Sequence, residues 1–286
     1  MENGGMEGKV VLITGGTSGI GRAAATALAA MGAEVVVSGR SDDRGGEAVR
    51  EIRDAAGTGR VSFIRADLAV QAEVRGLADR FRERHDRLDV LVNNAGLVQS
   101  KRTETPDGLE LTLAVNHLAP FLLTNLLLEV LEESAPSRVI TVSSEARRGA
   151  EIDFDDLQSE RRYRGFQVYG MTKKANVLFT YELARRLEGT GVVANCLHPG
   201  AVSTGFAQNN RGPIALLFRV LKPFMRSPEQ GADTLVYLAS SPEAGELNGR
   251  YLTDRKEVSP PEPRDQAAQK RLWEVSEELT NLRVTS

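Results

Sequence analysis

Seven short runs of branched apolar residues punctuate this 286-residue chain. They are KVVLIT (9–14), AEVVVSG (33–39), VSFIRAD (61–67), LDVLVNNAG (88–96), SRVITVSS (137–144), VVANCLHPG (192–200) and GRYLT (249–253). Polar residues rarely alternate within them, so each strand must be buried on both faces. In a sheet, that requires parallel pairing under helices. Longer segments of helical character separate the runs: GIGRAAATALAAMG (19–32), DDRGGEAVREIRDAAG (42–57), QAEVRGLADRFRERH (71–85), a long helix over roughly Leu109 to Glu133, a helix holding Tyr169, and one near SPEQGADTLVYLAS (227–240). Alternating β and α elements with right-handed crossovers wind such a sheet in both directions from its middle. The expected fold is α/β, a single-domain Rossmann fold over residues 1–286. Its doubly wound, parallel, seven-stranded sheet has order 3-2-1-4-5-6-7 and helices on both faces.

Two segments interrupt the alternation. Residues 146–166 are polar and lie between the fifth strand and its helix, and residues 204–228 form a loop carrying an apolar helical piece. A proline-rich stretch, SPPEPRDQ (259–266), leads to a C-terminal helix containing Trp273, within an extension at about 255–286.

The net charge of −3 and pI near 5.8 lack the basic footprint of a nucleic-acid binder. Arg161–Arg162 and Arg185–Arg186 are interleaved with acids and read as solvated faces. A single cysteine, Cys196, leaves no intrachain disulfide or cysteine metal cage and reads as a small core residue. The longest apolar stretch, LAPFLLTNLLLEVL (118–131), is interrupted by Thr124, Asn125 and Glu129, so no membrane span is expected. With no targeting pattern ahead of the first strand, a cytoplasmic protein is expected.

The turn after the first strand reads TGGTSGIG (14–21). Glycines between a strand and a helix let the backbone approach a pyrophosphate, and the helix start offers free N–H groups and the positive end of its dipole. Gly15, Thr17, Ser18, Gly19, Ile20 and Gly21 are therefore the candidate phosphate cradle of a dinucleotide. The second strand ends SGRSDD (38–43): Gly39 stands where a carboxylate would bind the ribose 2′-hydroxyl of NAD, and Arg40 follows. A guanidinium suits a 2′-phosphate, which favours NADP(H) over NAD(H). Asp42 and Asp43 read as helix N-cap residues.

Tyr169 and Lys173 are spaced i,i+4, which places them on one helix face. A tyrosine hydroxyl titrates near 10, and a cation beside it would lower that value toward useful acid–base exchange. Lys174, one position further, turns off that face.

Together TGGTSGIG, AD (66–67), NNAG (93–96), VNH (115–117), VSS (142–144), YGMTK (169–173) and HPGAVSTGF (198–206) run along the chain in an order that resembles the short-chain dehydrogenase/reductase superfamily. Within it, the chain is most similar to the retinol-dehydrogenase-like branch through FDDLQSERRY (154–163), KKANVLFTYELARRL (173–187) and LWEVSEEL (272–279). The resemblance implies Tyr169 as acid for reduction and base for oxidation, Lys173 tuning it and bonding the nicotinamide ribose, and Ser144, rather than Ser143, bonding the substrate oxygen. It further implies that Asn116 holds a water linked to the lysine, that Asp67 and Leu68 lie by the adenine, and that Asn94, Ala95 and Gly96 line the cofactor. Pro199, Gly200, Val202 and Thr204 would approach the nicotinamide and phosphates. His117 is given no role.

The expected activity is NADP(H)-dependent interconversion of a carbonyl and an alcohol. The apolar 204–228 segment, with Ile214, Leu217, Phe218 and Phe224, is expected to cover a bulky hydrophobic substrate. Two alternatives stay open: an epimerase or other cryptic redox enzyme on the same fold, and a non-catalytic dinucleotide-binding regulator. A homodimer or homotetramer is implied by the resemblance alone.

Overall fold

A computed structural model describes residues 5–202, 225–258 and 265–282. Strands β1 (Val10–Thr14), β2 (Glu34–Gly39), β3 (Val61–Arg65), β4 (Val90–Asn93), β5 (Ser137–Val142), β6 (Val192–His198), β7 (Arg250–Thr253) and β8 (Lys256–Glu257) form one sheet of order β3-β2-β1-β4-β5-β6-β7-β8. All pairings are parallel except β7–β8. The expected order is present, but the sheet has eight strands among the described residues rather than seven. The added strand follows a two-residue turn in which Asp254 and Arg255 both take positive φ, the twist that a tight hairpin demands.

Helices α1 (Gly19–Ala30), α2 (Asp42–Ala56), α3 (Gln71–Arg82), α7 (Gly165–Arg186), α8 (Pro228–Ser240) and α9 (Gln266–Thr280) cover the sheet. Side chains alternate across each strand, so β1 sends Val11 and Ile13 to one face and Val10 and Leu12 to the other. The first pair joins Ala25 and Leu28 of α1, Ile52 of α2 and Leu235 of α8; the second joins Leu77 and Phe81 of α3 and Leu183 of α7. Cys196 is fully buried, as expected. Ser41, rather than Asp42 or Asp43, caps α2 by accepting from Arg44 N–H, while the two aspartates occupy its first turn. Among the described residues, no helix is long and apolar enough to cross a membrane.

The long helix expected over 109–133 is divided. A turn of α4 (Leu111–Leu113) passes into a wider π-helical turn (Ala114–Leu118), then α5 (Ala119–Leu126) and α6 (Leu128–Glu133). Pro120 has no N–H to give to the carbonyl four residues back, that of Asn116. An inserted π turn relieves such a mismatch and re-aims the side chains within it. Asn116 and His117 both lie in that turn, and both are buried.

Candidate active site

The strand order reverses at β1, which pairs with β2 on one side and β4 on the other. Such a switch opens a crevice at the carboxyl ends of the strands. The glycine turn occupies it. Gly15 has φ +65°, and a Cβ on Gly21 would fall 2.5 Å from the Gly15 carbonyl oxygen, so no larger residue fits there without moving backbone. Ser18 precedes α1 without a side-chain capping bond, which leaves the N–H groups of the first turn open. Asn94 braces the turn: its Nδ2 donates to Thr14 O at 2.8 Å, and its backbone N–H donates to Thr14 Oγ1 at 3.0 Å. The Ala95 N–H donates to the same hydroxyl. Thr14 is thus a positioning residue that sequence reasoning passed over, because a threonine closing a strand carries no distinctive signal.

Thr17 lies so close over Gly39 that a Cβ there would come within 2.9 Å of it. That contact brings the glycine turn to the end of β2, where Arg40 is exposed and has no ion-pair partner among the described residues. Asp67 Oδ1 accepts from Ala69 N–H, while the Leu68 side chain belongs to the core and Ile20 packs against the opposite core face. A backbone cradle that a Cβ would fill, open helix-start donors and an exposed guanidinium fit a phosphorylated dinucleotide.

Ser144, Tyr169, Lys173 and Asn116 converge beside this cradle. Ser144 follows β5 and accepts from Ala146 N–H, and it hydrogen-bonds with the Tyr169 hydroxyl. Ser143 faces the other way, buried, donating to Lys173 O at 2.7 Å. Of the two hydroxyls, that of Ser143 is thus committed to the backbone of α7 and that of Ser144 lies at Tyr169. Lys173 Nζ lies 5.7 Å from the Tyr169 ring centroid and donates to Val142 O at 2.9 Å. Lys174 instead reaches Ala150 O.

The Asn116 amide is committed: Oδ1 accepts from Leu97 N–H, and Nδ2 donates to Leu97 O and Thr172 Oγ1. It clamps the loop after β4 to α7. Gly96 sits under this clamp, where a Cβ would lie 3.4 Å from both Asn116 Oδ1 and Lys173 Nζ.

Burial dominates the electrostatics. The Tyr169 hydroxyl is pushed up to about 12 by desolvation, against a downward pull from its Ser144 hydrogen bond. Desolvation pushes the Lys173 ammonium down to about 8. The expectation that the lysine lowers the tyrosine is therefore not met by the protein's own groups. A cation 5.7 Å from the ring does not outweigh the loss of water around the hydroxyl.

After β6, Gly200 takes φ +81° and Val202 forms a parallel bridge with Arg226, whose guanidinium is paired with both oxygens of Asp254. Pro199 is buried between His198 and that glycine. Thr204, and the part of the expected 204–228 cover that runs to residue 224, lie outside the described residues. Phe166, one turn before Tyr169, went unremarked in the sequence. It is the exposed large hydrophobic side chain of the described residues, with its ring 6.3 Å from that of Tyr169.

A family model described as short chain dehydrogenase matches residues 9–214. The chain is 43% identical over 294 residues to retinol dehydrogenase 14 of Homo sapiens, covering 97% of this chain and 88% of that protein. Among solved structures, a protein from Mycobacterium paratuberculosis superposes with a TM-score of 0.80 at 31% identity, covering 98% of this chain and 96% of that one. A short chain dehydrogenase from Burkholderia cenocepacia J2315 in complex with NADP gives a TM-score of 0.70 at 30% identity, covering 87% and 96%.

Proposed function

The chain belongs to the short-chain dehydrogenase family, and from that premise we propose that it interconverts a bulky, hydrophobic carbonyl compound and its alcohol with NADP(H). The observation that carries the reading is the hydrogen-bonded Ser144–Tyr169 pair with the Lys173 ammonium buried beside it. Bound nicotinamide dinucleotide supplies the hydride in reduction and accepts it in oxidation. The chain's own residues supply the proton and hold the oxygen.

Tyr169 holds its proton at neutral pH, as any tyrosine hydroxyl at about 10 or above does, and so has one to give to a developing alkoxide. Ser144 donates to the same oxygen and stabilises the charge as it forms. Lys173, cationic below about 8, favours the phenolate left behind. Reduction is thereby the direction the resting protonation states support near neutrality. The test is NADPH oxidation, followed by absorbance, across a panel of ketones and aldehydes of graded size and polarity. No turnover on any member would end the reading.

The preference for NADP(H) rests on Arg40. A charge-assisted bond to a 2′-phosphate is worth about 1.5–3 kcal/mol, roughly 10–100-fold in affinity. Arg40→Ala is expected to raise the KM for NADPH by about that factor and to leave the KM for NADH within about twofold. Equal shifts for the two cofactors would remove the assignment.

Support for an apolar substrate comes from Phe166. Gly165 meets the loop after β4 so closely that a Cβ there would fall 1.9 Å from Gln99 O, which fixes the start of α7 and the place of the exposed ring. An exposed aromatic face next to the Tyr169 ring suits a flat or extended apolar body. Phe166→Ala should raise the KM for 2-acetylnaphthalene by about threefold to tenfold, since losing an aromatic contact costs about 0.5–1.5 kcal/mol. For glycolaldehyde the same change should matter little. Steady-state kinetics on both compounds decide it, and equal effects would mean the ring does not select substrate.

A further inference from the structure

His117 is buried in the π turn, and the proposed chemistry gives it no part. Its neighbours form a continuous chain. His117 Nε2 lies 2.9 Å from Ser276 Oγ on the C-terminal helix α9, and its Nδ1 lies 3.4 Å from Asn176 Oδ1 on α7. Asn176 Nδ2 donates to Val142 O at 3.4 Å, the same carbonyl that accepts from Lys173 Nζ at 2.9 Å. Ser276, His117, Asn176 and Lys173 are each 3% exposed or less.

The direction of the chain follows from the donor inventory. Because the Asn176 amide nitrogen faces Val142 O, its oxygen faces His117 and must accept, so Nδ1 carries the imidazole proton. Nε2 is then an acceptor. The one hydrogen of Ser276 has two acceptors within reach, Leu272 O at 2.7 Å and His117 Nε2 at 2.9 Å, and is shared between them. The hydrogen bonds therefore run from Ser276 through His117 and Asn176 to Val142. Burial pushes the imidazole down to about 4, which keeps it neutral and preserves this direction.

The two ends of the chain are held independently. Trp273 packs in the aromatic group of Phe121 and Phe179, with ring centroids 4.9 Å and 5.9 Å away, and Arg186 covers its ring at 4.1 Å. That seats α9 against α7. At the other end, Ser143 binds Lys173 O and ties the end of β5 to the same helix.

We infer that Ser276 and His117 are positioning residues for Lys173, so the C-terminal helix is part of the active centre. The amide of Asn176 and the ammonium share one carbonyl, and the place of the first sets the room left for the second. This rests on the reading of Lys173 as part of the reaction given above.

Ser276→Ala removes the anchor with the loss of one oxygen, Ser276→Thr restores the hydroxyl, and His117→Gln breaks the middle of the chain. With NADPH and the fastest carbonyl of the panel, Ser276→Ala is expected to lower kcat on the order of tenfold, since small displacements of reacting groups carry costs of this size. The NADPH dissociation constant, read by fluorescence titration, should stay within about threefold, and Ser276→Thr should recover most of kcat. The double variant with His117→Gln should be no slower than the slower single variant, because coupled residues do not add.

The inference is overturned by a kcat for Ser276→Ala within about twofold of the parent, by additive single effects, or by losses of kcat and NADPH binding that fall together and are not recovered in Ser276→Thr. Tyr169→Phe separates the two levels: if it is inactive while Ser276→Ala is unaffected, only the positioning role fails. If Tyr169→Phe still turns over, the reading of the site itself fails.

Discussion

Tyr169→Phe is expected to lose about a thousandfold in kcat while binding NADPH as the parent does. General acid catalysis by a positioned side chain contributes about 10²–10⁴-fold, and a phenyl ring has no proton to give. The substitution removes little else. The ring keeps its place beside Phe166, and Ser144 still accepts from Ala146 N–H. The backbone carbonyl of residue 169, which accepts from Thr172 Oγ1 at 2.8 Å, is untouched. Single-turnover absorbance with pre-bound NADPH measures the chemical step, and fluorescence titration measures binding. Turnover above about a tenth of the parent rate would move the acid to another group. Because burial holds the hydroxyl up to about 12, the parent's reduction rate should not fall through the neutral range on account of this group.

Lys173→Met should lose about a hundredfold or more in kcat and at the same time make the protein more stable. The ammonium is fully enclosed, and its descent from 10.5 to about 8 corresponds to roughly 3 kcal/mol of unfavourable burial below that pH. A folded-state value below the unfolded one means the penalty is absent above about 10.5, grows as pH falls toward 8, and is constant beneath. Methionine fills similar space without charge but removes the bond from Lys173 Nζ to Val142 O, which costs back about 1 kcal/mol. Urea midpoints at pH 7 should therefore rise by the equivalent of about 2 kcal/mol, and the gain should disappear by pH 10.5. A destabilised, or equally stable, variant at pH 7 would show that the lysine is held there by compensating interactions. Sites that trade stability for chemistry gain stability when the costly group is removed.

Fold and site were legible to different depths. Strands buried on both faces announce themselves as apolar runs, and a glycine turn between strand and helix fixes where a dinucleotide would lie. The eighth strand left no such mark. Its residues, Lys256 and Glu257, are polar, and its turn takes positive φ at Asp254 and Arg255, where glycine or asparagine would be the usual signal. The π turn was hidden within a helix-length, mostly apolar stretch from Leu109 to Leu131, with Pro120 as its one trace. Site residues could be identified from spacing, yet their tuning could not. Whether a cation lowers a tyrosine, or burial raises it, depends on how many side chains close around the hydroxyl. His117 and Ser276 are 159 positions apart, a separation at which only tertiary structure brings partners together.

The hairpin that adds β8 also governs how the molecule meets its neighbours. A long parallel sheet that stopped at β7 would present an unpaired backbone, a template on which a strand from another copy could lie. Instead β7 is paired with two residues whose side chains are exposed and of opposite charge, Lys256 and Glu257. Among the described residues, what lies at that border is short and exposed, which disfavours a further strand. On this side of the sheet, a turn and two charged side chains are what a neighbouring strand would meet among the described residues.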